Sequence, residues 1–138
     1  MKKRVKTNKI NFRRSDMTEY EKAEEIYQSI EKHGLLSTLK TFFGDEYEMQ
    51  LPFYDEARNL SIEELGLSVR SFNCLKRAGI NTVGACVKAI KEGNLLSIRN
   101  LGRKSVCEIN AQVRECGYAM LPKGAKLEFI YATIRLNK

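Results

Sequence analysis

Two stretches of this chain are written to one plan: "LKRAGINTVG", residues 75–84, and "LSIRNLGRKSVCEI", residues 96–109. Each has an apolar residue, a tight turn containing glycine, and then a helix start. Each fits a helix-hairpin-helix unit, in which glycine permits a positive φ angle and lets the backbone approach a ligand without a Cβ in the way. Two such units close together predict a compact array of short helices over residues 58–121. Start and stop signals agree. Ser61 and Glu64 have capping-box spacing, and Ser68 can cap a helix running from Val69 to a stop at Gly79. Thr82 can cap the next helix, with Val83, Val87 and Ile90 inward and Gly93 beyond its end. Asn94 starts a single turn. Ser105 or the preceding loop starts the last helix, with Val106, Ile109 and Val113 inward and Gly117 as its stop.

The flanks read differently. Residues 1–14 form a basic arm in which Val5, Ile10 and Phe12 allow a short strand. Residues 15–57 are acidic and largely helical. Thr18 and Glu21 make a capping box that opens a helix ending near Gly34, with Tyr20, Ala23, Ile26, Tyr27 and Ile30 on one apolar stripe. Leu36, Leu39, Phe42 and Phe43 ahead of Gly44 offer that stripe a partner. Then Tyr47, Met49 and Leu51 alternate with Glu46, Glu48 and Gln50, a strand pattern at 46–51 ended by Pro52. The C-terminal extension, 122–138, is rich in β-branched and aromatic residues. Leu127, Ile130, Tyr131 and Ile134 also fit a helical stripe, so strand and helix both stay open there. The expected fold is therefore mainly α: a compact bundle of short helices with two helix-hairpin-helix-like units and a helical N-terminal extension. A small β element from the termini is left open.

Charge narrows the function. The net charge is +7, but residues 1–14 carry seven Lys or Arg and no acid, 15–58 carry four against eleven acids, and 59–138 carry thirteen against six. A basic arm and a basic C-terminal half point to a polyanion partner, nucleic acid first. No apolar run approaches the roughly 20 residues needed to span a bilayer, and the basic N-terminus lacks the apolar region of a signal peptide, so a cytoplasmic protein without membrane contact is expected. Cys74, Cys86, Cys107 and Cys116 form no C-x-x-C pair and have no histidine cluster nearby, which argues against a metal site. His33 stands alone at a helix end. The carboxylates of 15–58 fall on solvated helix faces with no acid/base or metal-binding constellation; neither an enzyme nor a cofactor is expected.

Two groups of residues suit a nucleic-acid backbone. In "NLGRKS", Gly102 precedes Arg103, Lys104 and the Ser105 hydroxyl at a helix N-terminus. Cations there oppose the helix dipole unless an anion joins them, and the first amides of a helix have no partner within it, so a phosphate oxygen suits both. On the helix starting near Val69, Arg70, Asn73 and Arg77 are spaced by three and four and share one face. An exposed Arg and Asn beside phosphate-binding turns suit the minor groove of A·T-rich DNA, where the potential is most negative.

"LSVRSFNCLKRAGINTV" followed by "RNLGRKS" resembles, nearly residue for residue and in order, the two hallmark segments of the C-terminal domain of the bacterial RNA polymerase alpha subunit. The resemblance covers about residues 59–120, under half of the chain. It implies a small all-helical domain that binds the minor groove of A·T-rich double-stranded DNA upstream of promoters and touches sigma factor and activators. Carried onto matching positions, it implies DNA contacts by Arg70, Asn73, Cys74, Gly102, Lys104, Ser105 and Glu108: Arg70 inserted in the groove, Lys104, Ser105 and the Gly102 turn toward phosphates, and Glu108 orienting other contacts. Two departures stand out. The first 58 residues are too few for the family's assembly domain and linker, so a stand-alone paralogue that does not build the polymerase scaffold is expected. "GACVKAIKEGN" lacks the acidic and polar residues common there in the family. The expected function is a DNA-binding accessory or regulator of transcription, with RNA polymerase, sigma factor or activators as partners and a homodimer formed through the N-terminal segment. The alternative is an interaction module, or decoy, that binds sigma factor or activators with little DNA affinity.

Overall fold

The computed structural model describes residues 17–138; the basic arm and its strand pattern lie outside them. Six α-helices follow in order: α1 (Glu19–His33), α2 (Leu35–Phe43), α3 (Val69–Arg77), α4 (Val83–Lys91), α5 (Arg103–Ala119) and α6 (Lys123–Leu136), with short 3₁₀ turns at Asp55–Ala57, Ile62–Leu65 and Leu95–Ser97. Among the described residues the only β pairing is an isolated antiparallel bridge between Ser61 and Thr82. No described helix is long and apolar enough to cross a membrane.

The chain divides into two compact units. One holds the described residues through Gln50 together with Pro122–Lys138, and the other is Leu51–Leu121. In the first, the Thr18–Glu21 capping box forms with both reciprocal bonds, at 3.1 and 2.8 Å, and starts α1 where expected. Gly34, at φ 90°, separates α1 from α2. Ala23, Ile26 and Ile30 of α1 are buried, as are Leu39, Phe42 and Phe43 of α2 and Phe129, Ile130 and Ile134 of α6. Tyr20, expected on the inward stripe, is 59% exposed.

The strand expected at 46–51 does not form. Side chains there alternate as the sequence predicts, with 47, 49 and 51 half-buried and 46, 48 and 50 exposed. No second strand meets this segment; instead the Asn137 side chain takes the Glu48 backbone on both sides, accepting from its N–H at 2.8 Å and donating to its carbonyl at 2.7 Å. One side-chain amide thus replaces one rung of a ladder. At 122–138 the open choice resolves as helix: Pro122 precedes α6, and Phe129, Ile130, Thr133 and Ile134 make the buried stripe, with the Thr133 hydroxyl donating back to the Phe129 carbonyl at 2.8 Å.

In Leu51–Leu121, Leu65, Leu75, Val83, Cys86, Leu95, Leu101, Ile109 and Val113 belong to one core cluster. Ser68 and Thr82 cap α3 and α4 as expected, accepting from Ser71 N–H and Ala85 N–H. Gly117 does not stop α5, which continues to Ala119. A side chain there would collide with the Pro52 carbonyl, so this glycine serves close packing and not helix termination.

Candidate nucleic-acid interface

Glu108 joins the start of α3 to α5. Its Oε2 accepts the Ser68 N–H at 2.7 Å, and its Oε1 accepts the Ser68 hydroxyl at 2.9 Å and the Ser71 hydroxyl at 2.6 Å. The Ser68 Oγ also accepts the Ser71 N–H at 3.3 Å, capping α3. A carboxylate thus sits at the positive end of the α3 dipole, held by three donors. The Ser71 hydroxyl is the largest cause of a Glu108 pKa below the ordinary carboxylate range; partial burial opposes it, while the Ser68 donors and the nearby Lys104 charge assist.

Arg70 lies between the two serines that Glu108 holds, and Asn73 follows one turn later. Both are exposed. Among the described residues neither side chain has a hydrogen bond or ion pair. Cys74 behaves otherwise: it is buried, and its thiol donates to the Asn100 carbonyl at 3.5 Å while the Arg77 guanidinium approaches its sulfur at 3.9 Å. Cys74 therefore ties α3 to the turn that leads into α5. Asn100, at φ 67°, is the one non-glycine residue with positive φ among the described residues. This is where the second hairpin reverses, a task expected of glycine from the sequence; Asn tolerates the left-handed region better than most residues.

Gly102 is the N-cap of α5 in ordinary extended geometry, φ −81°, and a Cβ added there would meet nothing within 4 Å. Its value is therefore open space over the helix end. The N-terminus of α5 has no side-chain cap; of the two starts left open for this helix the preceding loop provides it, and Ser105 is nearly buried within the first turn. Arg103 and Lys104 are exposed. Among the described residues nothing accepts from the amides of Arg103, Lys104 and Ser105. The same three positions of α4 are filled: Val83 N–H donates to the Leu60 carbonyl at 2.8 Å, Gly84 N–H to the Arg58 carbonyl at 3.0 Å, and Ala85 N–H to the Thr82 hydroxyl at 3.1 Å.

Glu108 and Cys74 thus connect Arg70 and Asn73 to the 100–105 turn, bringing into one neighbourhood residues that the sequence separates by about thirty positions. Of the seven residues named from sequence, Arg70, Asn73, Gly102 and Lys104 are exposed, whereas Cys74 and Ser105 are buried and the Glu108 oxygens are occupied by serines. Sequence reasoning did not assign Ser68, Ser71 or Asn100 to this site. Ser68 was visible only as a cap, and nothing local links it to a carboxylate forty residues on. Among the described residues no three His, Cys, Asp or Glu side chains are grouped to hold a metal.

A helix-hairpin-helix pair with one helix start left open is the class of structure present here. Residues 54–115 match the family model for the C-terminal domain of the bacterial RNA polymerase alpha subunit. DNA-directed RNA polymerase subunit alpha of Moorella thermoacetica is 48% identical over 66 residues, covering 48% of this protein and 21% of the relative. The subunit of Cutibacterium acnes is 49% identical over 67 residues, covering 49% and 20%. That of Symbiobacterium thermophilum is 40% identical over 95 residues, covering 66% and 30%. The resemblance read from the two hallmark segments therefore holds, and the protein spans about a fifth of the length of the first relatives. No solved structure matches.

Proposed function

We propose that residues 51–121 bind double-stranded DNA and that the protein acts in bacterial transcription as an accessory or regulatory factor. Arg70 and Asn73 enter the minor groove, with A·T-rich tracts favoured because their narrow grooves concentrate negative potential. Lys104 and the open amides at the start of α5 take adjacent phosphates, where the helix dipole and the Gly102 gap admit an oxygen. Cys74 and Glu108 act through their neighbours: the thiol holds the Asn100 turn and the carboxylate holds the start of α3. The observation that carries this reading is the unfilled first turn of α5 beside an exposed, unpaired Arg70.

The test is a duplex titration of wild type, Arg70→Ala and Lys104→Ala over a range of salt. Wild type should bind A·T-rich duplex with a log–log salt slope of about −0.9 per phosphate contacted. Arg70→Ala should weaken that binding about tenfold and reduce the preference for A·T, whereas Lys104→Ala should weaken all duplexes alike and flatten the slope. Equal affinities of wild type and Arg70→Ala would overturn the groove assignment.

One observation favours a second reading, a module that docks on polymerase, sigma factor or an activator. Val69, next to Arg70, is 75% exposed, and it borders an apolar hollow of about 290 Å³ with Leu67 and Phe72. If Val69→Asp abolished capture of a sigma factor while duplex titration of the wild type stayed flat, this reading would replace the first.

A further inference from the structure

The DNA reading leaves unused a groove in residues 51–121, about 590 Å³, between the exposed side of α4 and the backbone around Arg58. Phe53, Ala85 and Val87 supply apolar lining, and Arg58, Lys88 and Lys91 bring three cations to it. Gly84 makes the wall possible: a Cβ there would lie 2.7 Å from Arg58 Cγ and 2.9 Å from the Arg58 carbonyl oxygen.

The charges around the groove are unbalanced. Asp55 takes one nitrogen of Arg58 at 3.0 Å in an exposed pair. Glu92, the acid among the lining residues, accepts from the Asn94 side-chain amide at 3.1 Å. Lys88 and Lys91 have no ion pair among the described residues. The dipole of α4 favours lysines near its C-terminal end but gives no reason for an apolar wall shared with Arg58. A phosphodiester backbone fits this groove poorly, because the three amides that begin α4 are already bonded to Leu60, Arg58 and Thr82. Carboxylates flanking an aromatic or aliphatic side chain satisfy both the cations and the wall.

We propose that this groove receives an acidic segment of a partner protein, anchored by one apolar side chain. The inference uses neither Arg70, Asn73 nor Lys104, so its failure leaves the DNA reading standing. The probe is a short fluorescent peptide of Asp and Glu around a single Phe, titrated into the full-length protein by anisotropy, with a Lys-for-acid peptide as control. The acidic peptide should bind in a salt-sensitive way, the control should not, and Lys88→Glu/Lys91→Glu should weaken binding about tenfold or more. Lys88→Ala/Lys91→Ala serves if the charge reversal impairs folding, and should weaken binding by a smaller factor. Both double variants should keep wild-type affinity for duplex. Unchanged peptide affinity in the double variants would overturn the proposal. So would a loss of duplex affinity matching that of Arg70→Ala, which would assign the groove to nucleic acid.

Discussion

The two hairpins of residues 51–121 share a written plan and end differently. After Gly79, the backbone enters α4 through Thr82, and the first three amides of that helix are taken by the Leu60 carbonyl, the Arg58 carbonyl and the Thr82 hydroxyl. Beyond Asn100, it enters α5 through Gly102, and among the described residues the corresponding amides have no partner. The same device thus closes one helix inside the domain and leaves the other open to a ligand. Glycine marks both, for opposite reasons: at Gly84 the preceding segment fills the space a side chain would need, and at Gly102 that space is empty. An N-terminus is an anion site only where the fold brings no carbonyl to it.

Substitutions at paired positions would break or sharpen this contrast. The largest stability effect is expected at Gly84→Ala, where overpacking against the Arg58 backbone should cost about 1–3 kcal/mol, read as a shift in the denaturation midpoint. Duplex affinity of the folded fraction should not change. A neutral Gly84→Ala would show that α4 is not closed by Arg58. Next comes Arg70→Ala, expected to cost about 1–2 kcal/mol of A·T-rich duplex binding with the melting temperature unchanged. A drop in melting temperature instead would make Arg70 a structural residue.

Glu108→Gln should cost about 1 kcal/mol of stability, since a neutral amide keeps an acceptor for the serines but loses the charge, and solvent at this half-buried site limits the effect. Its pH dependence is more specific. Because the Glu108 pKa is lowered in the folded protein, its contribution is fully present above the ordinary carboxylate range and is lost as pH falls through the folded value. Wild type should therefore lose stability on acidification more steeply than Glu108→Gln; parallel acid limbs would show that the carboxylate charge does not hold α3. The smallest stability effect is expected at Gly102→Ala, within about 0.5 kcal/mol, because the backbone there is extended and the space is open. Duplex affinity should fall nonetheless as the new methyl keeps phosphate from the amides. Unchanged affinity would place the phosphate elsewhere.

Helix starts in this protein were legible because they are local. Thr18, Ser68 and Thr82 each cap the helix they precede, since the bond joins residues three apart. The start of α5 was left open between Ser105 and the preceding loop, and the loop supplies it: Gly102 begins the helix without a capping side chain, which leaves the serine inside the first turn. Gly117 misled because a glycine needed for close packing looks in sequence like one needed for a turn. The segment 46–51 had the alternation of a strand and the exposure pattern of one, but pairing is decided by whether a second strand arrives, and a side chain from residue 137 arrived instead. Of the site, the exposed cations were legible from helical spacing. The Glu108 and Cys74 contacts were not, because their partners lie 37–40 and 26 positions away.

By itself the sequence determined where most helices begin, which faces are apolar, and that cations gather at one helix start and along one helix face; each of these follows from interactions within a few residues along the backbone. Only the tertiary structure decided which helix start is closed and which stays open, because that depends on carbonyls delivered from a different part of the fold. A backbone amide looks the same in either case until the neighbouring segment is in place.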